Sequence, residues 1–170
     1  MCDQPLPRIV SVGGVEKQEL RQRLREHRVQ LNQAADSLFK DERFITLSQP
    51  TTMEVVCLSV ADLGFADGAR YEQLTARAHE SRLSECPLEL GPHLRLQFLD
   101  QAEGASPAVA SRHCAPPGAI TIASAPLDGT DETPKGFYLR RIAGVLWLRG
   151  FWSGPDHLWN SGDYFVFVRS

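Results

Sequence analysis

GFYLRRIAGVLWLRG, Gly136 to Gly150, reads as two short strands meeting at Ala143-Gly144. A two-residue turn there sets Ile142 opposite Val145, Arg141 opposite Leu146, Arg140 opposite Trp147, Leu139 opposite Leu148 and Tyr138 opposite Arg149. Side chains alternate across a strand, so two faces follow. One carries Phe137, Leu139, Leu146 and Leu148, with Arg141 near the turn, and belongs to a core. The other carries Tyr138, Arg140, Trp147 and Arg149. Each arginine there lies opposite an aromatic ring, over which a guanidinium can rest for roughly 0.5–1 kcal/mol at an exposed site.

The flanking sequence adds to that second face. FWSGPDHLWNSGDYFVFVRS (Phe151 to Ser170) brings Trp152, His157 and Trp159 close together before a last strand, Tyr164 to Val168. All three tryptophans of the chain, at 147, 152 and 159, fall in this C-terminal part. Exposed Trp, Tyr and Arg in company are what binding surfaces concentrate. The leading expectation is a binding or interaction protein that uses Tyr138, Arg140, Trp147, Arg149, Trp152 and Trp159. Its partner is expected to be a protein, a nucleotide or single-stranded nucleic acid, and no cofactor is called for. The competing expectation is a small hydrolase or nucleotide-processing enzyme, in which Asp156 orients His157 as a general base. No Ser, Cys or ligand pattern beside that pair completes a mechanism.

Upstream of the hairpin, RIVSV (Arg8 to Val12) and MEVVCLSV (Met53 to Val60) have strand composition. Between them VEKQELRQRLREH carries Val15, Leu20 and Leu24 on one stripe, and a second helix is expected from about Asn32, which can cap it, to Lys40. The two are read as a helical hairpin over residues 1–45. As a DNA-binding helix-turn-helix it fails, because NQAADSLFKDERF is too poor in basic residues to enter a groove. Packing on a core, or pairing two copies of the chain, suits it better. A third helix fits Ala69 to Leu83. In LGPHLRLQFLD (Leu90 to Asp100), Leu94, Leu96 and Phe98 alternate with Arg95 and Gln97, which predicts a half-buried strand. Residues 101–118 and 126–136 are rich in small residues and turn formers and read as loops. Ile120 to Ala123 is a short strand.

These elements predict an α+β protein of one domain, 1–170, with N-terminal helices packed on a mainly antiparallel sheet from the middle and C-terminal strands, the core running over 50–170. Hydrophobic residues make up 42% and charged residues 23%, a globular composition. No apolar run reaches the ~18–20 residues of a membrane helix, and MCDQPLPRIV does not read as an export signal, so a soluble cytoplasmic protein is expected. Eighteen Lys and Arg stand against 21 Asp and Glu, for a net charge of −3, which argues against a general polyanion binder. Four arginines against two aspartates leave Gly136 to Ser170 at +2 and the first 135 residues at −5. Cys2, Cys57, Cys86 and Cys114 form no CxxC pair and are read as reduced thiols. A zinc site drawn from Cys86, His93, His113 and Cys114 matches no familiar ligand spacing. His79 and His93, each beside apolar neighbours, read as structural.

CPLELGPHLRLQFLDQ (Cys86 to Gln101), KGFYLRRIAGVLWLRGFWSGPDHLWNSGDYFVF (Lys135 to Phe167) and, more loosely, LGFADGARYEQLTARAHE (Leu63 to Glu80) resemble an uncharacterised family of small bacterial proteins. Similar sequences are sometimes labelled helicase. The chain has no GxxxxGK[ST] phosphate loop, so what the resemblance implies is an accessory role near nucleic acid rather than an ATP-driven motor. Members of that family tend to carry Asp-Gly at the hairpin turn, where this chain has Ala143-Gly144.

Overall fold

The computed structural model describes residues 6–104 and 115–170. The hairpin forms with the register read above: strands Gly136–Ile142 (β7) and Val145–Phe151 (β8) pair antiparallel, Tyr138 opposite Arg149 and Arg140 opposite Trp147. Its turn has φ of 48° at Ala143 and 78° at Gly144, the two positive values that a type I′ turn requires. Alanine is strained there because its Cβ crowds the following carbonyl. Ala143→Asn is therefore expected to raise unfolding free energy by about 0.5–1 kcal/mol in urea titration. A loss of stability would show that the turn does not hold this geometry.

Around the hairpin runs a sheet of eight strands. β1 (Ile9–Val12), β2 (Gln30–Leu31), β3 (Thr51–Ser59), β5 (Leu83–Ser84), β6 (Ile120–Ile122) and β10 (Tyr164–Arg169) join it in the order β1-β3-β10-β6-β7-β8-β2, with β5 beside the end of β10. All pairings are antiparallel except β6 with β10 and β2 with β8, so the fold is α+β with a mainly antiparallel sheet. A two-stranded ribbon, β4 (Ala69–Arg70) with β9 (Leu158–Trp159), stands apart.

Both faces of the sheet are covered, as β10 shows by being apolar on both sides. Phe165 and Phe167 enter one core with Leu74, Ala78 and Trp159, under helix α3 (Tyr71–Glu80). Val166 enters the other with Leu20, Leu38, Leu94, Phe137 and Leu148. That second core is roofed by α1 (Lys17–Glu26), α2 (Gln33–Lys40) and α4 (Leu90–Gln97). The N-terminal helices thus cover the Phe137/Leu139/Leu148 face of the hairpin and leave the arginine and aromatic face to the other side.

Helix α4 overturns the strand expected over Leu90 to Asp100. An amphipathic helix betrays itself by a polar stripe, but Leu90, Gly91, Pro92, His93, Leu94 and Arg95 are all buried, so no stripe exists to be read. The apparent alternation is accidental, since Arg95, placed on the polar side, is fully buried. Pro92 sits in the first turn, where its missing N–H costs nothing. Gly91 lets the helix lie flat on β7: a Cβ there would come within 2.9 Å of Phe137.

The expected helical hairpin is also modified. β2 intervenes between α1 and α2 and adds an edge to β8, so the two helices are tied through the sheet and by the Arg21–Asp36 ion pair. Asn32 sits at the joint. Its side chain caps α2 by accepting from the Ala35 N–H at 2.9 Å, accepts from the Gly150 N–H at 2.8 Å, and donates to the Gly150 carbonyl at 3.0 Å.

Candidate functional site

On the hairpin's second face the structure brings together most of what the sequence singled out. Tyr138, directly opposite Arg149, is 9% exposed, while Arg140, Trp147 and Arg149 are half-buried. The Arg149 guanidinium lies 4.9 Å from the centre of the Trp147 ring and 6.0 Å from that of Tyr138. Stacking therefore runs along β8 as well as across to β7. Arg140 does not repeat the pattern, and its Nε donates instead to the Pro117 carbonyl at 3.2 Å. Burial is the main cause of the upward shift of the Tyr138 hydroxyl pKa, which keeps it neutral.

Beyond the hairpin the chain turns back over this face and closes a cavity of about 260 Å³. Its walls include Tyr138, Phe151, Trp152, His157 and Trp159, with Thr121 from β6. Phe151 continues the period-two run of Trp147 and Arg149, so its place was readable by extending the alternation one step. Trp152 is 51% exposed and stands at the cavity as a surface ring. Trp159 differs from the expectation of a surface residue: it is 5% exposed, held by the β4–β9 pairing, with Phe151, His157 and Phe165 edge-on around it. It is a wall of the cavity and part of the core behind it. Two buried donors of this region, Trp159 Nε1 and Arg149 Nε, find no acceptor among the described residues. Buried donors left without partners call for an explanation.

His157 and Asp156 do not take up the arrangement expected of a base and its orienting carboxylate. Asp156 is 88% exposed and its carboxylate lies 3.7 Å from Arg70. His157 packs against the Trp159 ring at 4.7 Å between centres. The buried carboxyl of this segment is Asp163, whose pKa is pushed up chiefly by desolvation. Both its oxygens accept backbone N–H groups, from Ala115 at 3.1 Å and Asn160 at 2.9 Å, so its visible work is to pin the chain beside the cavity.

Of the residues weighed for zinc, only Cys86 and His93 are among the described residues. His113 and Cys114 lie outside the described residues. The Cys86 thiol donates to the Val166 carbonyl and burial drives its pKa far up, which disfavours the thiolate a metal needs. His93 accepts from the Gly13 N–H at 3.2 Å beside Glu89. Among the described residues no group of three or more His, Cys, Asp or Glu side chains could hold a metal ion. Nor is any helix among them long and apolar enough to cross a membrane.

No family model, no curated protein and no solved structure matches the chain. The chemistry of the site rests on its own geometry.

Proposed function

We propose that the protein is a binding protein that takes a planar ring, of the size of a nucleobase, into the cavity between the hairpin and the Phe151 to Trp159 segment. The observation that carries this reading is the convergence of five ring side chains, Tyr138, Phe151, Trp152, His157 and Trp159, on one cavity of about 260 Å³. Binding sites are concave and mostly apolar, with few polar groups to orient the ligand, and this one lies below the ~300–1,000 Å³ of drug-sized ligands. It suits a single ring. Aromatic walls stack on a base whatever its identity, and Arg149, which does not line the cavity but lies 6.0 Å from the ring centre of its wall residue Tyr138, supplies positive charge for an attached phosphate.

The test is iodide quenching of tryptophan fluorescence with AMP, UMP and a short oligothymidylate as probes. Trp152 is expected to be quenched in the free protein and protected when a probe is bound. Trp152→Ala should weaken binding by about 1–3 kcal/mol, as loss of a stacking ring does, while leaving the melting temperature nearly unchanged. If no probe protects Trp152, the nucleobase reading fails.

A further inference from the structure

On the far side of Phe151 lies a second cavity, of about 230 Å³, lined by Tyr71, Ser124, Pro126, Lys135, Phe151 and Pro155 together with Ser153, Gly129 and Gly154. It shares only Phe151 and Ser153 with the first. Its walls are the rings of Tyr71, Phe151 and two prolines, and its ionisable groups are already engaged. Tyr71 donates to Glu85 at 2.7 Å, and burial first, then Glu85, holds the phenol neutral. Lys135 Nζ donates to the Thr130 carbonyl at 2.6 Å. A cation would meet the Lys135 ammonium on the wall, and an anion would have to draw that ammonium away from the Thr130 carbonyl while facing Glu85 behind Tyr71. Ser124, 5% exposed, has an Oγ without a hydrogen-bond partner among the described residues. At the rim, Gly129 and Gly154 have no positive φ to make glycine necessary, and a Cβ on either would meet nothing within 4 Å.

We propose that this second cavity binds a small uncharged molecule with an apolar body and a single hydroxyl group, a phenol of about ten heavy atoms or fewer. The aromatic and proline walls take the body and a serine hydroxyl, Ser124 or Ser153, takes the polar group. A site that hydrogen-bonds a ligand hydroxyl discriminates against the analogue lacking it. The inference is independent of the nucleobase reading, because it concerns a different cavity.

The experiment is a titration of the full chain, followed by protein-observed NMR, with p-cresol, toluene and p-toluate. The p-cresol is expected to bind at least roughly five-fold more tightly than toluene, the yield of one net hydrogen bond, and p-toluate more weakly than either. The double variant Ser124→Ala/Ser153→Ala should bring p-cresol and toluene together. Gly154→Leu, which places a side chain at the rim with no backbone strain, should abolish p-cresol binding, whereas Trp152→Ala, on the other cavity, should not. Any of four results overturns the proposal: no p-cresol binding, p-toluate binding as tightly, equal affinity for p-cresol and toluene in the unaltered protein, or loss of binding in Trp152→Ala with retention in Gly154→Leu.

Discussion

Arg95→Ala is expected to cost about 3–5 kcal/mol in unfolding free energy, the combined effect of a void left in the core and of buried acceptors left without their donor. Arg95 is fully buried. One guanidinium nitrogen donates to Gln101 Oε1 at 2.6 Å and more weakly to the Trp147 carbonyl at 3.4 Å, and the other donates to the Phe98 carbonyl that ends α4. Gln101, also fully buried, passes the connection on through its amide nitrogen to the Gly118 and Leu139 carbonyls at 3.0 and 3.3 Å. One arginine therefore links the end of α4 to both strands of the hairpin. Burial lowers its pKa to about 10, still well above neutrality, so it remains charged. Alanine would leave Gln101 and the carbonyls without their donor and open a void in the core. Lysine keeps the charge but offers a point ammonium in place of a planar fork, so Arg95→Lys should recover only part of the loss. Urea denaturation monitored by circular dichroism decides it, and a loss below about 1 kcal/mol would show that the network is not a support of the fold.

The second large effect is on pH dependence. Glu89 and His93 are buried one turn apart on α4, 3.5 Å between Oε2 and Nε2. His93 Nε2 accepts from Gly13 N–H and Glu89 Oε1 accepts from Leu47 N–H at 2.7 Å, so the pair fastens two loops to α4. Burial is the chief cause of both shifts: it lowers the imidazole to about 4 and raises the Glu89 carboxyl, and both groups favour their neutral forms. Between pH 6.5 and about 4 the unfolded chain binds a proton on His93 that the folded chain refuses. The stability due to this histidine is thus present above pH 6.5 and is lost on acidification toward pH 4. Glu89 acts in the opposite sense, because its folded pKa is raised. Its contribution is present below about pH 4.5 and declines as pH rises through the folded value. Below pH 4 the paired carboxylates Asp36 and Asp41, whose pKa values are lowered mainly by hydrogen bonds from Lys40 and Arg43, take over the acid loss. Unfolding free energy measured from pH 7 to 4 should fall in the unaltered chain and stay flatter in His93→Gln. An equally steep fall in His93→Gln would remove this histidine from the account.

Asn32 shows where local reading succeeds and where it stops. Its capping of α2 was legible, because a cap is a bond between a side chain and a backbone three residues on. Its pairing with Gly150, 118 residues away, was not. The same division runs through the candidate site. Tyr138, Arg140, Trp147 and Arg149 were assigned to one face by alternation alone, and that face exists. Trp159 was placed with them on density of tryptophan, yet the β4–β9 ribbon buries it, and no local pattern announces a ribbon whose strands are nearly 90 residues apart.

What the sequence determined by itself is whatever has a period or a turn to declare it: the hairpin and its register, the capped helix α2, the amphipathic helices α1 and α3, and the apolar strands β3 and β10. Tertiary structure alone decided α4, which is covered on too many sides to show a stripe, the burial of Arg95 and of the Glu89/His93 pair, and the closing of two cavities around Phe151. The physical reason is common to all of them. Burial depends on which distant segments arrive to exclude water, and a side chain's own neighbours in sequence carry no record of that arrival.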